Sequence, residues 1–283
     1  MRKRASFALS ALRLTFGAIV LGYPAARAQV SDGVGKASPV VLLDPRMLQE
    51  YELRLDGSFD IEPGAGMILL RTGDNLFDLT HKFRLLKTDL PGLEAFAFAS
   101  DGALLTISNQ ELGYFKGREV VEVVPLPVPH MRLAAGREGE VYLYGGTAAP
   151  DTCIYVYRKG GEYQKLIEVP GRISALTAVG DDVIFAVGNG IYEAKLAGSL
   201  RLLFLMPSLS AIRCLAVDSA QGVIYFISGQ ALYAFSGKRA ILISEKAGTD
   251  IKFHRGSLYV LNPTEGVLVR WDNLHASLAL AAK

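Results

Sequence analysis

The sequence predicts an all-β protein folded as a six-bladed β-propeller of four-stranded antiparallel blades. Short apolar runs rich in Val, Ile, Tyr and Phe alternate with small turns, as they do over residues 212–248, and each run is too short for a helix. A turn followed by such a run recurs every 34 to 43 residues, and a second strand follows each recurrence. Six units of roughly 40 residues with four short strands each are typical of propeller blades. The recurrences begin at Gly66, Gly102, Gly139, Asp182, Gly222 and Gly256.

The N-terminal residues 1–28 are predicted to be a secretory signal peptide. Residues 1–4 are basic, residues 14–22 are apolar, and residues 26–28 read Ala-Arg-Ala, a small-x-small cleavage site. The apolar run is shorter than the ~20 residues that a membrane span needs. We therefore expect a periplasmic or secreted protein with no stable membrane span after cleavage.

The rest of the chain is predicted to be one domain after a short leader. Residues 29–39 lack periodicity and indicate a flexible leader, so the propeller is expected over 40–283. Residues 46–53 are compatible with a single turn or a short helix. The ring needs a strand that joins its two ends, and the sequence offers either residues 51–55 or residues 277–281 for this purpose.

The charge balance argues against nucleic acid as a partner. Residues 1–28 hold five basic residues and no acidic one, so the mature chain has 25 Lys and Arg against 28 Asp and Glu. Its net charge is −3 instead of the +2 of the full chain. A strong basic patch for nucleic acid is not expected.

The two cysteines are predicted to be buried free thiols. Cys153 falls on the third strand of its unit, and Cys214 falls on an innermost strand two units later. A disulfide needs Cα atoms within ~7 Å, and the intervening unit would keep the two residues further apart.

The strands differ in their predicted environments. Residues 95–99, 175–179 and 214–217 are apolar on both faces, as expected for innermost strands packed between neighbouring blades. Residues 119–124 alternate, as expected for an outermost strand with one face in water. Burial of apolar surface between blades, at ~25 cal/mol per Å², is expected to be the main stabilising term.

Two of the units, LAVDSAQGVIYFISGQALYAF and FAFASDGALLTISNQELGYF, resemble the NHL repeat and six-bladed propellers of the SMP-30/gluconolactonase type. The resemblance covers residues 57–272 and implies the architecture. It does not imply one activity, because such propellers include lactonases, carriers of catalytic cofactors and binding modules. Its lactonase-like members hold a divalent cation in the axial channel with Glu, Asn and Asp side chains from different blades. Their surrounding motifs have no residue-by-residue match here, so neither a metal site nor a cofactor is predicted.

A ligand site is predicted at one mouth of the axial channel, where propeller sites generally lie. Arg132, Arg172, Arg213 and Lys252 each lie at or just before the first strand of units three to six. With Glu94 as a counter-charge, they would form a cationic collar suited to a small anionic ligand or an acidic partner loop. The alternative is that these charges end strands and face solvent.

A catalytic interpretation has less support from the sequence. Glu94, Asn109, Asn189 and Asp250 could surround a hard cation, or they could be turn residues and a solvated loop acid. The histidines lie in different units or edges, which disfavours zinc, and no nucleophile motif is present. No catalytic residue is therefore predicted. The histidines are His81, His130, His254 and His275.

A partner contact is predicted at the longest internal loop, residues 145–152. Tyrosines surround this loop, and they are common where proteins meet; packing between blades is the alternative explanation. The residues expected to contact a protein partner are Tyr144, Pro150, Asp151 and Tyr155.

These observations together predict an exported, non-catalytic propeller that acts as a binding or scaffold module for a protein or a small ligand. The alternative prediction is a metal-dependent, lactonase-like hydrolase with its site in the channel.

Overall fold

The computed structural model is an all-β ring of six four-stranded antiparallel sheets, which confirms the predicted six-bladed propeller. The chain first forms the strand β1 (Val40–Leu43) and the helix α1 (Pro45–Glu50). The six blades then follow in chain order. The structure describes residues 38–81, 84–87, 90–117, 119–146, 152–195, 198–237 and 239–274.

The blades are continuous units of the chain. Blade 1 comprises β2 (Phe59–Ile61), β3 (Ile68–Thr72), β4 (Asn75–Asp78) and β5 (Arg84–Lys87). Blade 2 comprises β6 (Leu93–Phe98), β7 (Leu104–Ser108), β8 (Glu111–Lys116) and β9 (Glu119–Pro125). Blade 3 comprises β10 (Arg132–Ala135), β11 (Glu140–Tyr144), β12 (Cys153–Arg158) and β13 (Gln164–Glu168).

The last three blades follow the same order. Blade 4 comprises β14 (Ile173–Val179), β15 (Asp182–Val187), β16 (Gly190–Lys195) and β17 (Leu200–Leu205). Blade 5 comprises β18 (Ile212–Asp218), β19 (Val223–Ser228), β20 (Ala231–Ser236) and β21 (Arg239–Ser244). Blade 6 comprises β22 (Asp250–His254), β23 (Ser257–Asn262) and β24 (Val267–Asp272), and β1 is its fourth strand.

The ring is closed by β1, which pairs antiparallel with β24. Neither predicted closing strand is confirmed. The true strand lies upstream of residues 51–55, and residues 277–281 lie outside the described residues. Leu43 is fully buried at the end of β1, where it packs with Leu268 of β24.

The helix α1 turns the chain from β1 towards blade 1, which confirms the short helix expected near residues 46–53. Asp44 is its N-cap and accepts hydrogen bonds from the backbone N–H groups of Arg46 and Met47, both at 2.9 Å. Pro45 follows at the first helical position, where its missing N–H costs nothing. No helix in the described residues is long and apolar enough to cross a membrane.

Apolar layers between neighbouring blades form the core. On β19, the adjacent residues Tyr225 and Phe226 point to opposite faces and both are fully buried. Tyr225 packs towards blade 6 and Phe226 towards blade 4. On the outermost strand β9, by contrast, Val120 and Val123 are exposed. The gradient from a buried interior to an exposed rim is the one that the sequence predicts.

The first strand of each blade contacts the first strands of its neighbours around the ring, so β2, β6, β10, β14, β18 and β22 surround the axis. Each blade has four antiparallel strands, so the chain starts every innermost strand from the same side of the ring. Residues at the starts of these strands therefore share one mouth of the channel. This geometry brings together side chains that are far apart in sequence.

Candidate active site in the axial channel

The predicted channel-mouth residues do not form a single collar. Glu94, Arg132 and Arg213 lie within the first two residues of β6, β10 and β18, and Arg172 directly precedes β14, whereas Lys252 is the middle residue of β22 and lies deeper in the channel. Glu94 was expected to be the counter-charge of the basic residues. Its carboxylate instead contacts a histidine, and the counter-charge of Lys252 is Asp60.

The mouth cluster consists of Glu94, Gln110 and His130, contributed by blade 2 and the loop that leads into blade 3. The Nδ1 atom of His130 lies 3.1 Å from Oε2 of Glu94. Gln110 donates from Nε2 to Oε1 of Glu94 at 3.2 Å, and its Oε1 accepts from the backbone N–H of His130 at 3.0 Å. Three residues thus fix one another's orientation at the entrance to the channel.

The backbone under the mouth cluster has an uncommon conformation. Asn109 and Gln110 form the two-residue turn between β7 and β8, with φ of 51° and 66°, as in a type I′ hairpin. His130 has a φ of 54°. Residues other than glycine seldom adopt such angles, and those that do cluster at functional sites. Gly92 has a φ of 68°, and a Cβ at this position would lie 2.8 Å from Oδ1 of Asn109.

The mouth cluster has the geometry of a general base with an orienting carboxylate. Nδ1 of His130 lies 3.1 Å from the Glu94 carboxylate, which can only accept a hydrogen bond, and 3.3 Å from Nε2 of Gln110, which can only donate one. In the tautomer in which Nδ1 donates to Glu94, Nε2 keeps its lone pair. The His130 side chain is 54% exposed and the Glu94 side chain 28%. Such a pair can accept a proton from water or from a substrate.

A second group, the channel cluster, lies further along the axis and consists of Asp60, Asp250 and Lys252. The Lys252 ammonium lies 3.4 Å from Oδ1 of Asp60 on the neighbouring blade. Lys252 and Asp250 are two residues apart on β22, so they share one face of the strand, and Lys252 lies about 7 Å deeper than Asp250. The Lys252 side chain is 34% exposed.

The charges of the channel cluster depend on one another. Burial raises the pKa of Asp250 to about 6, against the lowering effects of Lys252 and of a hydrogen bond from the backbone N–H of Phe59. Burial alone would lower the pKa of the Lys252 ammonium. The negative charges of Asp60 and Asp250 have the larger combined effect, so the pKa is raised. Lys252 is therefore a permanent positive charge at neutral pH.

Tyr144 and Cys214 add buried polar groups beside the channel cluster. Burial raises the pKa of the Tyr144 phenol, and the positive charges of Arg132 and Lys252 oppose this rise. The phenol of blade 3 is thus within electrostatic reach of Lys252 on blade 6. The Cys214 thiol donates to the backbone oxygen of Thr249 at 2.7 Å, and burial raises its pKa to about 12.

The cysteines fit the prediction of two free thiols. Cys153 lies on β12, the third strand of blade 3, and Cys214 lies on β18, the innermost strand of blade 5, and the two are not bonded to each other. The predicted burial holds for Cys153, whereas Cys214 is only partly buried.

Several polar side chains near the axis also have a structural role. An innermost strand has one edge without a partner strand, so its backbone groups need other partners. Asp60 accepts from the backbone N–H of Phe98 at 2.7 Å, and Asp250 accepts from that of Phe59 at 3.3 Å. Ser174 donates to the backbone oxygen of Ile212 at 2.6 Å. Each of these bonds joins one blade to the next.

The residues present do not fit the divalent cation that the resemblance implies. Both oxygens of Glu94 contact the mouth cluster, and the amide nitrogen of Asn189 donates to the backbone oxygen of Met206 at 3.1 Å. Asp250 accepts from two backbone N–H groups. In the described residues, no group of three or more His, Cys, Asp or Glu side chains is placed to hold a metal ion.

The remaining predicted residues are dispersed. Arg132 is exposed and donates from Nη1 to the backbone oxygen of Ser174 at 2.8 Å, while Arg213 is exposed at the mouth. Of the predicted partner contacts, Tyr144 is buried and cannot be a surface contact in this structure, and Tyr155 is half-buried on β12. Pro150 and Asp151 lie outside the described residues.

The sequence does not reveal the roles of His130, Gln110 and Asp60. The histidines do not cluster in the sequence, and Asp60 lies on a short innermost strand with no distinctive motif. One signal is present in the sequence. Residues 109–110 read Asn-Gln, although a two-residue hairpin turn favours Asn-Gly, so Gln110 occupies a position where glycine is preferred.

Comparisons with solved structures support the architecture. The chain is similar to a gluconolactonase from Xanthomonas campestris, with a TM-score of 0.63 and 10% identity over 89% of this chain and 99% of that one. It is also similar to virginiamycin B lyase from Staphylococcus aureus, with a TM-score of 0.58 and 11% identity over 75% and 79%. A chain of a nidogen/laminin complex gives a TM-score of 0.61 and 12% identity over 77% and 89%.

At these identities the similarity shows the fold alone. No protein-family model matches the chain, and no curated protein matches it in sequence. The similar structures include enzymes as well as a chain from a protein–protein complex, so the activity has to be argued from the residues of this channel.

Proposed function

We propose that the protein is a lactonase-like hydrolase of small molecules, with its active site at the mouth of the axial channel. The observation that carries the proposal is the contact of His130 with Glu94, 3.1 Å between Nδ1 and Oε2, on a half-exposed side chain at this mouth. The similarity to gluconolactonase and lyase structures agrees with an enzyme, since both reaction classes need a base.

The proposed step is hydrolysis of a cyclic ester. Nε2 of His130 takes a proton from a water molecule while the water oxygen bonds to the carbonyl carbon of the lactone. The ring C–O bond then breaks, and the imidazolium returns the proton to the departing alkoxide, which yields a hydroxy acid. Glu94 holds the ring in the required tautomer and stabilises the imidazolium.

Arg132 is the proposed donor to the oxyanion that forms on the carbonyl oxygen. It lies two residues after His130 and opens β10 at the same mouth. A guanidinium has five N–H donors, so the bond from Nη1 to Ser174 leaves others for a substrate. Donors that are already in place before charge develops are an effective source of transition-state stabilisation. The step uses only groups of this chain.

The proposal is tested with a panel of lactones, including glucono-δ-lactone, and chelator-treated protein. We expect the wild type to hydrolyse at least one lactone and His130→Gln to reduce kcat/KM by about 10²- to 10⁴-fold, the usual contribution of a general base. Glu94→Gln should give a smaller loss.

The matched control is His81→Gln. His81 also contacts a carboxylate, that of Asp78, but on blade 1 after β4 and away from the innermost strands. This variant should keep wild-type activity. Equal rates for wild type and His130→Gln would contradict the proposal, as would absence of turnover across the panel.

A second candidate function is a non-catalytic binding module, which the exposed Arg132 and Arg213 at the channel mouth favour. Guanidinium groups suit carboxylate ligands. Gluconate binding that is weakened by Arg213→Ala, without turnover of any lactone, would favour this function over the hydrolase.

Export to the periplasm or the medium is part of the proposal. It rests on the basic start, apolar run and small-residue site within residues 1–28. Cell fractionation with and without these residues tests it: the full chain should be found outside the cytoplasm, and the shortened chain should stay inside.

A further inference from the structure

The ammonium of Lys252 pairs with a carboxylate on the neighbouring blade, and a second carboxylate lies on its own strand. Its Nζ lies 3.4 Å from Oδ1 of Asp60 on blade 1. Asp250 lies on the same strand and the same face as Lys252, and its negative charge also raises the pKa of the ammonium. The positive charge of Lys252 therefore interacts favourably with two acidic side chains near the axis of the ring.

Both carboxylates are held in place by the neighbouring blade. Oδ2 of Asp60 accepts from the backbone N–H of Phe98 at 2.7 Å, and Oδ2 of Asp250 accepts from that of Phe59 at 3.3 Å. These bonds leave Oδ1 of Asp60 directed at Lys252. The acidic groups are thus arranged around a cation, and that cation is covalently part of the chain.

We infer that the Lys252 ammonium is the resident cation of the axial channel, and that it takes the electrostatic role which a divalent cation has in the gluconolactonase-type propellers that this chain resembles. A divalent cation entering the channel cluster would meet an ammonium a few ångströms away. Like charges at this distance repel, and they do so more strongly than in bulk water because the side chain is partly buried. The protein should therefore fold and act without a divalent cation in its channel. This inference does not depend on the proposed hydrolysis.

If the inference is correct, a variant without the ammonium should be stabilised by a cation added to the solution. Lys252→Met keeps an unbranched side chain that is one heavy atom shorter than lysine, and it leaves Asp60 and Asp250 without the positive charge. The Tm of this variant should fall below that of the wild type in chelator. Added CaCl₂, MgCl₂ or MnCl₂ should then raise it by roughly 2–4 °C or more at concentrations well above the dissociation constant.

The experiment is a thermal unfolding series on the full mature chain after chelator treatment. The Tm of the wild type should change by less than about 1 °C with each of the three salts, a small fraction of the shift that saturating binding causes. Lys165→Met is the matched control, because Lys165 also forms an ion pair, with the exposed Glu168, far from the axis. The double variant Lys252→Met, Asp250→Asn should lose the cation-dependent gain.

Two results would overturn the inference. One is a wild-type protein that is stabilised by one equivalent of divalent cation and loses this response in Asp250→Asn. The other is a Lys252→Met protein that folds and shows no gain with any of the three cations. If Lys252→Met does not fold, Lys252→Arg replaces it: the inference requires this variant to fold in chelator without a cation response, and a cation requirement would contradict it.

Discussion

The folded ring raises the pKa of the Asp250 carboxyl. Its pKa is raised to about 6 by burial, because Lys252 and the backbone N–H of Phe59 offset only part of the cost of removing the carboxylate from water. In the unfolded chain, an aspartate titrates near 3.9. Between these values the folded protein binds more protons than the unfolded one, so this group's contribution to stability falls as the pH rises from about 4 to about 6.

Replacement of Asp250 by Asn should remove that dependence. Asn keeps an oxygen to accept from Phe59 but cannot ionise, so the variant should be more stable than the wild type at pH 7 to 8. The expected gain is on the order of 1–3 kcal/mol after allowance for water in the channel, and it should vanish near pH 4. Denaturant unfolding at both pH values measures it.

Asp272→Asn is the control for this prediction. The pKa of Asp272 is lowered, chiefly by a hydrogen bond from Ser257, and the residue is exposed on the last blade. Its replacement should not stabilise the protein at any pH. If the difference in unfolding free energy between Asp250→Asn and the wild type is the same at pH 4 and pH 7, the raised pKa of Asp250 is contradicted.

At the scale of the elements, β1 decides whether the ring is closed. It is the only strand of the described residues that joins a sheet from the opposite end of the chain, because it precedes blade 1 but completes blade 6. Its register with β24 shifts between Val41 and Leu43, and Leu43 is fully buried at that point. The side chain thus anchors the closing strand in the apolar layer between blades 6 and 1.

Leu43→Ala should destabilise the protein by about 2–5 kcal/mol, the range for a buried leucine that leaves a cavity. Val41→Ala on the same strand is the control, since Val41 is 58% exposed and its replacement should cost far less. Equal losses for the two variants, measured by denaturant unfolding, would show that Leu43 does not anchor the closure.

The strands inside each blade could be predicted from the sequence, whereas the closing strand could not. Repeated turns and apolar runs reveal a blade because each unit repeats the same pattern. Residues 40–43 read Val-Val-Leu-Leu, ahead of the first repeat and without alternation, so no pattern connects them to β24. Residues 40–43 pair with β24 because the ring has to close, and closure is a property of the whole fold.

In the molecule as a whole, the ring brings residues that are far apart in sequence into contact. Phe59 and Asp250 are 191 residues apart in sequence and share a hydrogen bond, and Glu94 and His130 are 36 apart. The sequence could predict that charged residues would share one mouth, because innermost strands start on the same side. It could not predict which charges would pair, because pairing depends on side-chain direction and on the depth of each residue along the axis.

The proposed hydrolysis requires Glu94 to orient His130 so that Nε2 of the ring acts as the base at the channel mouth. The most direct measurement is the ¹⁵N NMR spectrum of the His130 imidazole, assigned through His130→Gln and recorded where the ring is neutral. In the wild type, Nδ1 should be protonated and Nε2 unprotonated, and this preference should be lost in Glu94→Gln. A wild-type spectrum with the proton on Nε2 would contradict it.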